Sequence, residues 1–226
     1  MFPLRDNQPT YKFPAVTVAI IAVNVIVFLM ELMAPDIEAF IQSYALVPSA
    51  VNLLNISTLS SFISSQFLHA GFIHIISNMW FLKIFGDNVE EKLGSFKFLF
   101  IYLLAGFVGN FAQYILSPSS TIPILGASGA VAGVLGAYLV FFPHHTIKTL
   151  VPFFGFLTVV NISASVMLFY WLLTQLFSGV GSVASAQIGG VAWWAHIGGF
   201  AIGWIFAKMY RTRKEALEVE EGDVIG

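Results

Sequence analysis

A single serine stands among glycines and alanines in the run LGASGAVAG at residues 125–133, inside one of the most apolar parts of the chain. Small residues in such runs commonly let helices pack closely, and a serine beside them commonly does no more than that. A hydroxyl becomes a nucleophile when a neighbouring base accepts its proton. Ser128 is therefore a candidate for acyl-transfer chemistry, provided that other elements bring a base to it.

Other polar side chains within apolar runs could supply the rest of such a site. His196 is the candidate base, because an imidazole can take the hydroxyl proton and return it to a leaving group. His74 and Asn78 are spaced i, i+4, so one helix face presents both as donors to an oxyanion. Every Asp and Glu lies in a loop, in a tail or, for Glu31, at the outer end of an apolar run. The predicted catalytic group is therefore a Ser–His dyad without a carboxylate.

The composition indicates a membrane protein. Hydrophobic residues make up 58% of the chain and charged residues 10%, whereas ordinary globular chains carry about 25% charged residues. The absence of cysteine excludes disulfides, zinc thiolates and thiol nucleophiles, and the net charge of -2 argues against a nucleic-acid partner. We expect a lipid bilayer as the surroundings and neither a metal nor another cofactor in the site.

Six apolar runs are long enough, or nearly so, to cross about 30 Å of hydrocarbon as helices, namely 14–33, 72–86, 97–116, 122–142, 150–177 and 191–209. All ten Lys and Arg fall on one side of this arrangement, so the positive-inside rule predicts cytoplasmic termini. The outer stretch 34–71 is too apolar for a solvated linker and is expected to lie in the membrane surface. The predicted fold is an all-α, six-helix bundle of the cell membrane over residues 14–210, with cytoplasmic tails at 1–13 and 211–226.

The polar candidates share one depth in this arrangement. At 1.5 Å per residue, Ser128 lies about 21 Å above the inner edge, His196 about 18 Å and His74 about 14 to 20 Å. Ser128 is then about 9 Å below the outer surface of the hydrocarbon. An extended stretch before Ser128, with the helix starting near the serine, would add free backbone N–H groups at the same level.

Two spans carry a ridge of small residues at every fourth position, and such ridges let two backbones approach closely. These ridges are Gly129, Gly133 and Ala137 in one span, and Ala195, Gly199, Gly203 and Ala207 in the other. Ser128 and His196 each neighbour the first member of a ridge. If the ridges face each other, the hydroxyl and the imidazole come within hydrogen-bonding distance.

Four motifs together resemble the rhomboid family of intramembrane serine proteases. They are HAGFIHIISNM (69–79), GDNVEEKLG (86–94), GASG (126–129) and AHIGGFAIG (195–203), within a similarity that covers about residues 60–210. The resemblance implies that Ser128 is the nucleophile, that His196 is the general base and acid, and that His74 and Asn78 stabilise the oxyanion. It implies mainly structural roles for His69 and Glu90. The residues expected to support the site structurally are His69, Gly126, Gly129, Gly199 and Gly203.

The same resemblance implies the substrates, which are single-span membrane proteins cut through an acyl-enzyme in the outer part of their span.

The chain departs from the family pattern twice. Residues 34–68 lack the Trp-Arg pair that many relatives carry in the first outer loop, and Ala132 stands where many have an aromatic residue beneath the histidine. Trp193 and Trp194 are candidates to fill that gap.

Three other functions are alternatives to a protease of this kind. A catalytically inactive relative that escorts membrane proteins typically lacks the serine or the histidine, and both are present. A transporter that relays ions through buried His and Asn predicts a buried charged residue along the path and an internal repeat, and the sequence shows neither. A metal-dependent protease would need a motif such as HExxH, which is absent.

Overall fold

The computed structural model describes residues 1–52, 54–153, 155–184 and 191–224. Within these ranges the chain forms eight α-helices, which are α1 (Ala15–Met33), α2 (Ile37–Tyr44), α3 (Ile56–Ser64), α4 (Phe72–Leu93), α5 (Ser95–Leu116), α6 (Ser128–Phe141), α7 (Ala164–Ala184) and α8 (Trp193–Val224). The same ranges hold three strands, β1 (Phe2–Asp6), β2 (Thr146–Phe153) and β3 (Phe156–Ser163). Short 3₁₀ turns at Pro48–Ala50 and Ser65–Phe67 interrupt the stretch between α1 and α4.

The helices form a multi-pass membrane bundle. Among the described residues, α1, α5 and α7 are each long and apolar enough to cross a membrane, and a pair bent by 81°, Thr58–Phe67 with α4, would add a fourth span. The apolar helix α6 has 14 residues, fewer than a straight crossing needs. The count of six spans therefore remains a prediction.

The chain is mostly helical, as expected, but the prediction of helices alone is corrected by a three-stranded antiparallel sheet in the order β1-β2-β3. Strands β2 and β3 pair in register from Thr146 with Ser163 to Phe153 with Phe156. They occupy the first part of the span predicted at 150–177, and the helix begins only at Ala164. The stretch is rich in Thr, Val and Ile, which favour strands. Pro152 and the left-handed Gly155, with φ of 85°, favour a turn over a continuous helix.

Helix α6 lies at the centre of the bundle and packs most extensively on α8, then on α5 and α4. The two ridges of small residues face each other. A side chain on Gly203 would overlap the carbonyl oxygen of Gly133, and one on Gly199 would overlap that of Gly129. The backbones of α6 and α8 approach this closely because these positions carry no Cβ atom.

The stretch between α1 and α4 is held to the bundle by buried polar and backbone contacts. Asn110 of α5 donates to the carbonyl of Phe62 at 2.9 Å and to the hydroxyl of Ser65 at 3.0 Å. Leu46, which is fully buried, forms a backbone bridge with Ile124 just before α6. These contacts anchor the predicted first outer loop without the Trp-Arg pair that many relatives use.

Glu90 joins the starts of two helices at the opposite end of α4 from that loop. Its carboxylate accepts hydrogen bonds from the backbone N–H groups of Val16 and Thr17 at 3.0 and 2.7 Å, and from the Ser95 hydroxyl at 2.7 Å. The carboxylate satisfies two N–H groups at the start of α1 that have no partner within their own helix, and its bond with the Ser95 hydroxyl ties it to the start of α5.

The N-terminal strand is tied to the helices through Asp6. Its carboxylate accepts hydrogen bonds from the Tyr138 hydroxyl at 2.7 Å and from Asn88 Nδ2 at 2.8 Å. Burial raises the pKa of Asp6 to about 6; the Tyr138 hydrogen bond opposes this rise, and the nearby carboxylate of Asp87 adds to it. The tail predicted at residues 1–13 therefore contains a strand that packs on α4 and α6.

The ends of α7 and α8 differ from the predicted boundaries. Helix α7 continues to Ala184, into the outer loop predicted at 178–190, and residues 185–190 of that loop lie outside the described residues. Helix α8 continues past residue 210 to Val224, so the predicted tail at 211–226 is helical over its described part. Residues 225 and 226 lie outside that part.

Candidate active site

Ser128 is the first residue of α6 and the segment before it is non-helical, so the span predicted at 122–142 is helical only from Ser128 to Phe141. That segment is held by the backbone bridge at Ile124 and by a 2.9 Å hydrogen bond from the N–H of Gly126 to the carbonyl of Ser65. Gly126 has a φ of 120°, a conformation that favours glycine, and a Cβ there would overlap the His74 ring. The first N–H groups of α6 have no partner within the helix, so they are donors beside the serine.

The structure brings Ser128 and His196 together across 68 residues of sequence. The Ser128 Oγ lies 2.8 Å from His196 Nε2, a distance typical of a strong hydrogen bond. His196 lies in the first turn of α8 and is buried. The pair therefore has the geometry in which an imidazole accepts the proton of a nucleophilic hydroxyl.

Two aromatic side chains pack against the imidazole. Trp171 of α7 packs at 5.9 Å between ring centroids, inclined by 33°, and Trp193 packs edge-on at 6.1 Å. Trp193 was predicted to fill the space left by Ala132, whereas Trp171 was not. Of the two tryptophans named as candidates, Trp193 is the one that contacts the ring, and the Trp194 indole lies next to Gly179 of α7.

His196 also has a polar partner on its second ring nitrogen. The side-chain oxygen Oε1 of Gln175 on α7 lies 2.8 Å from His196 Nδ1. The sequence predicts a dyad because no carboxylate lies inside the apolar runs, but an amide can accept the same hydrogen bond. The signal available was a lone glutamine within the apolar run LFYWLLTQLF.

The hydroxyl and imidazole open into a cavity of about 880 Å³ whose walls also include His74 and Asn78. Asn78 is buried, and its Nδ2 has no hydrogen-bond partner among the described residues. Buried donors are nearly always paired, so an unpaired amide in the wall of a cavity is available to a ligand. His74 Nδ1 accepts a long hydrogen bond of 3.4 Å from the backbone of Ala70.

His69 lies behind the cavity wall. Its ring is buried and packs edge-on against His74, with 5.1 Å between centroids. Its backbone N–H donates to the carboxylate of Glu31 at 3.0 Å, which ties the start of α4 to the outer end of α1. Both features agree with the supporting position expected of His69.

These features define a multi-pass helical membrane protein whose cavity holds a hydrogen-bonded serine and histidine beside an unpaired amide donor. The sequence matches the Rhomboid domain over residues 57–213, more than half of the 226 residues. The chain belongs to the rhomboid family.

Individual relatives match parts of the chain. It is 46% identical over 72 residues to the rhomboid protease GluP of Bacillus subtilis (strain 168). It is 30% identical over 156 residues to the mitochondrial presenilin-associated rhomboid-like protein of Homo sapiens, and 33% identical over 131 residues to the mitochondrial rhomboid protein 1 of Saccharomyces cerevisiae (strain ATCC 204508 / S288c). These stretches cover 32%, 68% and 56% of this chain, but 14%, 38% and 36% of the respective relatives.

Proposed function

We propose that this protein is an intramembrane serine endopeptidase that works through a Ser128–His196 dyad and an acyl-enzyme. The observation that carries the proposal is the 2.8 Å contact between Ser128 Oγ and His196 Nε2, in a cavity that also holds the unpaired Asn78 amide. The family membership supports it, since the relatives include a protein named as a rhomboid protease.

The chemistry follows from these positions. His196 Nε2 takes the hydroxyl proton as Ser128 Oγ attacks the scissile carbonyl, and the carbonyl oxygen becomes an oxyanion. Asn78 Nδ2, His74 and the free N–H groups at the start of α6 stabilise this charge. His196 then gives the proton to the leaving amine, which leaves an acyl group on the serine. A water, deprotonated by the same imidazole, releases that group and restores the enzyme.

The proposed substrates are single-span membrane proteins cut in the outer part of their span. A peptide bond within a helix is protected, because its carbonyl is held in the helical hydrogen-bond ladder. A substrate must unwind locally to reach Ser128, about 9 Å below the outer surface of the hydrocarbon. Spans that contain helix-weakening residues are therefore the preferred substrates.

The proposed location is the cell membrane, with both termini in the cytoplasm. Positively charged loops are retained on the cytoplasmic side, and all ten Lys and Arg of the chain fall on the side of the termini in the predicted arrangement. Ser128 then faces the outer half of the bilayer.

A fluorophosphonate probe tests the proposal, because it reacts with a serine only when a base activates the hydroxyl. We expect the purified protein to be labelled at Ser128, identified by mass spectrometry of the modified peptide. Ser128→Ala should abolish labelling. Ser165→Ala, which removes a serine next to the β3–α7 junction, should label like the wild type. Absence of label in the wild type would favour the escort or transporter function over the protease.

A further inference from the structure

The amide of Gln175 has its orientation fixed by its neighbours. Its Nε2 lies 3.2 Å from the carbonyl oxygen of Trp171 and 3.0 Å from the Thr174 hydroxyl. A carbonyl oxygen can only accept a hydrogen bond, so the group beside it must be the NH₂ of the amide. The oxygen Oε1 therefore points to His196 Nδ1, at 2.8 Å.

This orientation determines which nitrogen of His196 carries the proton. An amide oxygen can only accept, so Nδ1 must be the N–H of the neutral ring, and Nε2 is left with its lone pair. Nε2 is the atom that faces the Ser128 hydroxyl at 2.8 Å. The opposite tautomer would set the Nδ1 lone pair against the Oε1 lone pairs and would leave Nε2 unable to accept the serine proton.

We propose that Gln175 is the positioning residue of the catalytic histidine and acts as a neutral third member behind Ser128 and His196. The proposal rests on the proposed serine-protease function and extends it. Gln175 does not touch the reacting atoms. It holds His196 in the reactive tautomer and ring orientation, which is the task of the aspartate in soluble serine proteases.

A neutral amide suits this task inside a membrane. A carboxylate among apolar helices is costly when it is ionised, and Gln175 is buried on a span-forming helix. The amide oxygen accepts the Nδ1 proton without adding a charge that must be desolvated. It also stabilises the imidazolium that forms in the reaction, although less than a carboxylate would.

The same helix supplies the ring contact of His196. Trp171 and Gln175 are four residues apart, so they lie on one face of α7, and both contact the imidazole. Helix α7 packs less extensively on α6 than α8 does. A displacement of α7 away from α8 would remove both contacts together, so the orientation of His196 depends on the position of α7.

The experiment compares two substitutions at one position in liposomes, with a single-span protein as the substrate. Gln175→Met keeps the length of the side chain and removes the acceptor, so kcat should fall about 10- to 100-fold with KM unchanged. Gln175→Glu restores an oxygen acceptor, so its kcat should be clearly higher than that of Gln175→Met. Gln66→Met is the matched control, because Gln66 is a buried glutamine that donates to the carbonyl of Phe62 and lies away from the cavity. It should keep the wild-type kcat.

Two results would overturn the proposal. One is a Gln175→Met enzyme with wild-type kcat, and the other is an equal loss in Gln175→Met and Gln175→Glu, which would indicate packing alone. Ser128→Ala, measured beside them, separates this failure from failure of the proposed function. If Ser128→Ala is inactive while both Gln175 variants match the wild type, the protease function is supported and the positioning role of Gln175 is excluded.

Discussion

Replacing Asn78 by alanine should separate catalysis from stability. In the resting protein Asn78 Nδ2 is buried and makes no hydrogen bond with the described residues, so its removal breaks no such bond. Burying an unpaired polar group costs about 1–3 kcal/mol, and Asn78→Ala removes that cost. We therefore expect the variant to unfold at the same temperature as the wild type or at a higher one.

The turnover of Asn78→Ala should fall, although its unfolding temperature should not. The Asn78 donor finds its partner only when the oxyanion forms, so its loss affects the transition state and not the bound substrate. Removal of one oxyanion donor costs about 2.7–4 kcal/mol, or roughly 100- to 1,000-fold in kcat. KM should stay near its wild-type value, and the fluorophosphonate probe should still label Ser128, more slowly.

Asn110→Ala is the matched control for this prediction. Asn110 is also a buried asparagine, but its Nδ2 already donates to Phe62 and Ser65. Its loss removes two buried hydrogen bonds and leaves the Phe62 carbonyl with only the bond from Gln66, at a cost of about 1–3 kcal/mol, so the unfolding temperature should fall while kcat of the folded protein is kept. Cleavage kinetics and thermal unfolding in detergent measure both quantities. Wild-type turnover in Asn78→Ala, or the same response in both variants, would refute the oxyanion role.

Three further predictions concern the helix contact, the N-terminal strand and the substrate. Gly203→Ala should lower stability by about 1–3 kcal/mol in detergent unfolding, because the new Cβ overlaps the Gly133 carbonyl. Gly181→Ala, whose Cβ meets nothing within 4 Å, should be neutral or stabilising; equal losses would argue against the close contact. Asp6 holds its proton to about pH 6 in the folded chain against 3.8 in the reference state, so stability falls as the pH rises through this window. In Asp6→Asn the unfolding temperature should fall less with rising pH over this range. The same dependence on pH as in the wild type would exclude Asp6 as its cause. Replacing Gly or Pro in the outer part of a cleaved span by Leu should slow cleavage about 5- to 150-fold, and equal rates would exclude unwinding as the selecting step.

The contact between Ser128 and His196 could be predicted from the sequence because it follows from a periodic pattern of small residues. Small residues at every fourth position mark the faces on which α6 and α8 meet, and helical rise gives the depth of each polar residue. Two facing ridges and one shared depth are enough to bring two side chains together. The helix start at Ser128 lies inside the run 122–142, which hydropathy predicts as a single span, and the polar, Pro-containing stretch before the serine was the available signal.

The three-stranded sheet and the contact of Gln175 with His196 Nδ1 could not be predicted from a pattern of this kind. Hydropathy treats 150–177 as one apolar run, since Val, Ile and Phe favour a buried strand and a membrane helix alike. The turn at Pro152 and Gly155 was the available signal. The predicted span begins at residue 150, whereas α7 begins at Ala164. The positions of Gln175 and Trp171 relative to His196 could therefore not be derived. These positions depend on how α7 packs on α8, and α7 carries no ridge of small residues from Val166 to Phe177 that would define this packing.

Cleavage of a single-span membrane protein by the purified enzyme in liposomes tests the central claim most directly. Wild type, Ser128→Ala, His196→Ala and the double variant are compared under single-turnover conditions. Because the hydroxyl and the imidazole act as one unit, each single substitution should abolish cleavage and the double variant should be no worse than either. Residual turnover above about a few per cent of wild type in Ser128→Ala would contradict the assignment of Ser128 as the nucleophile.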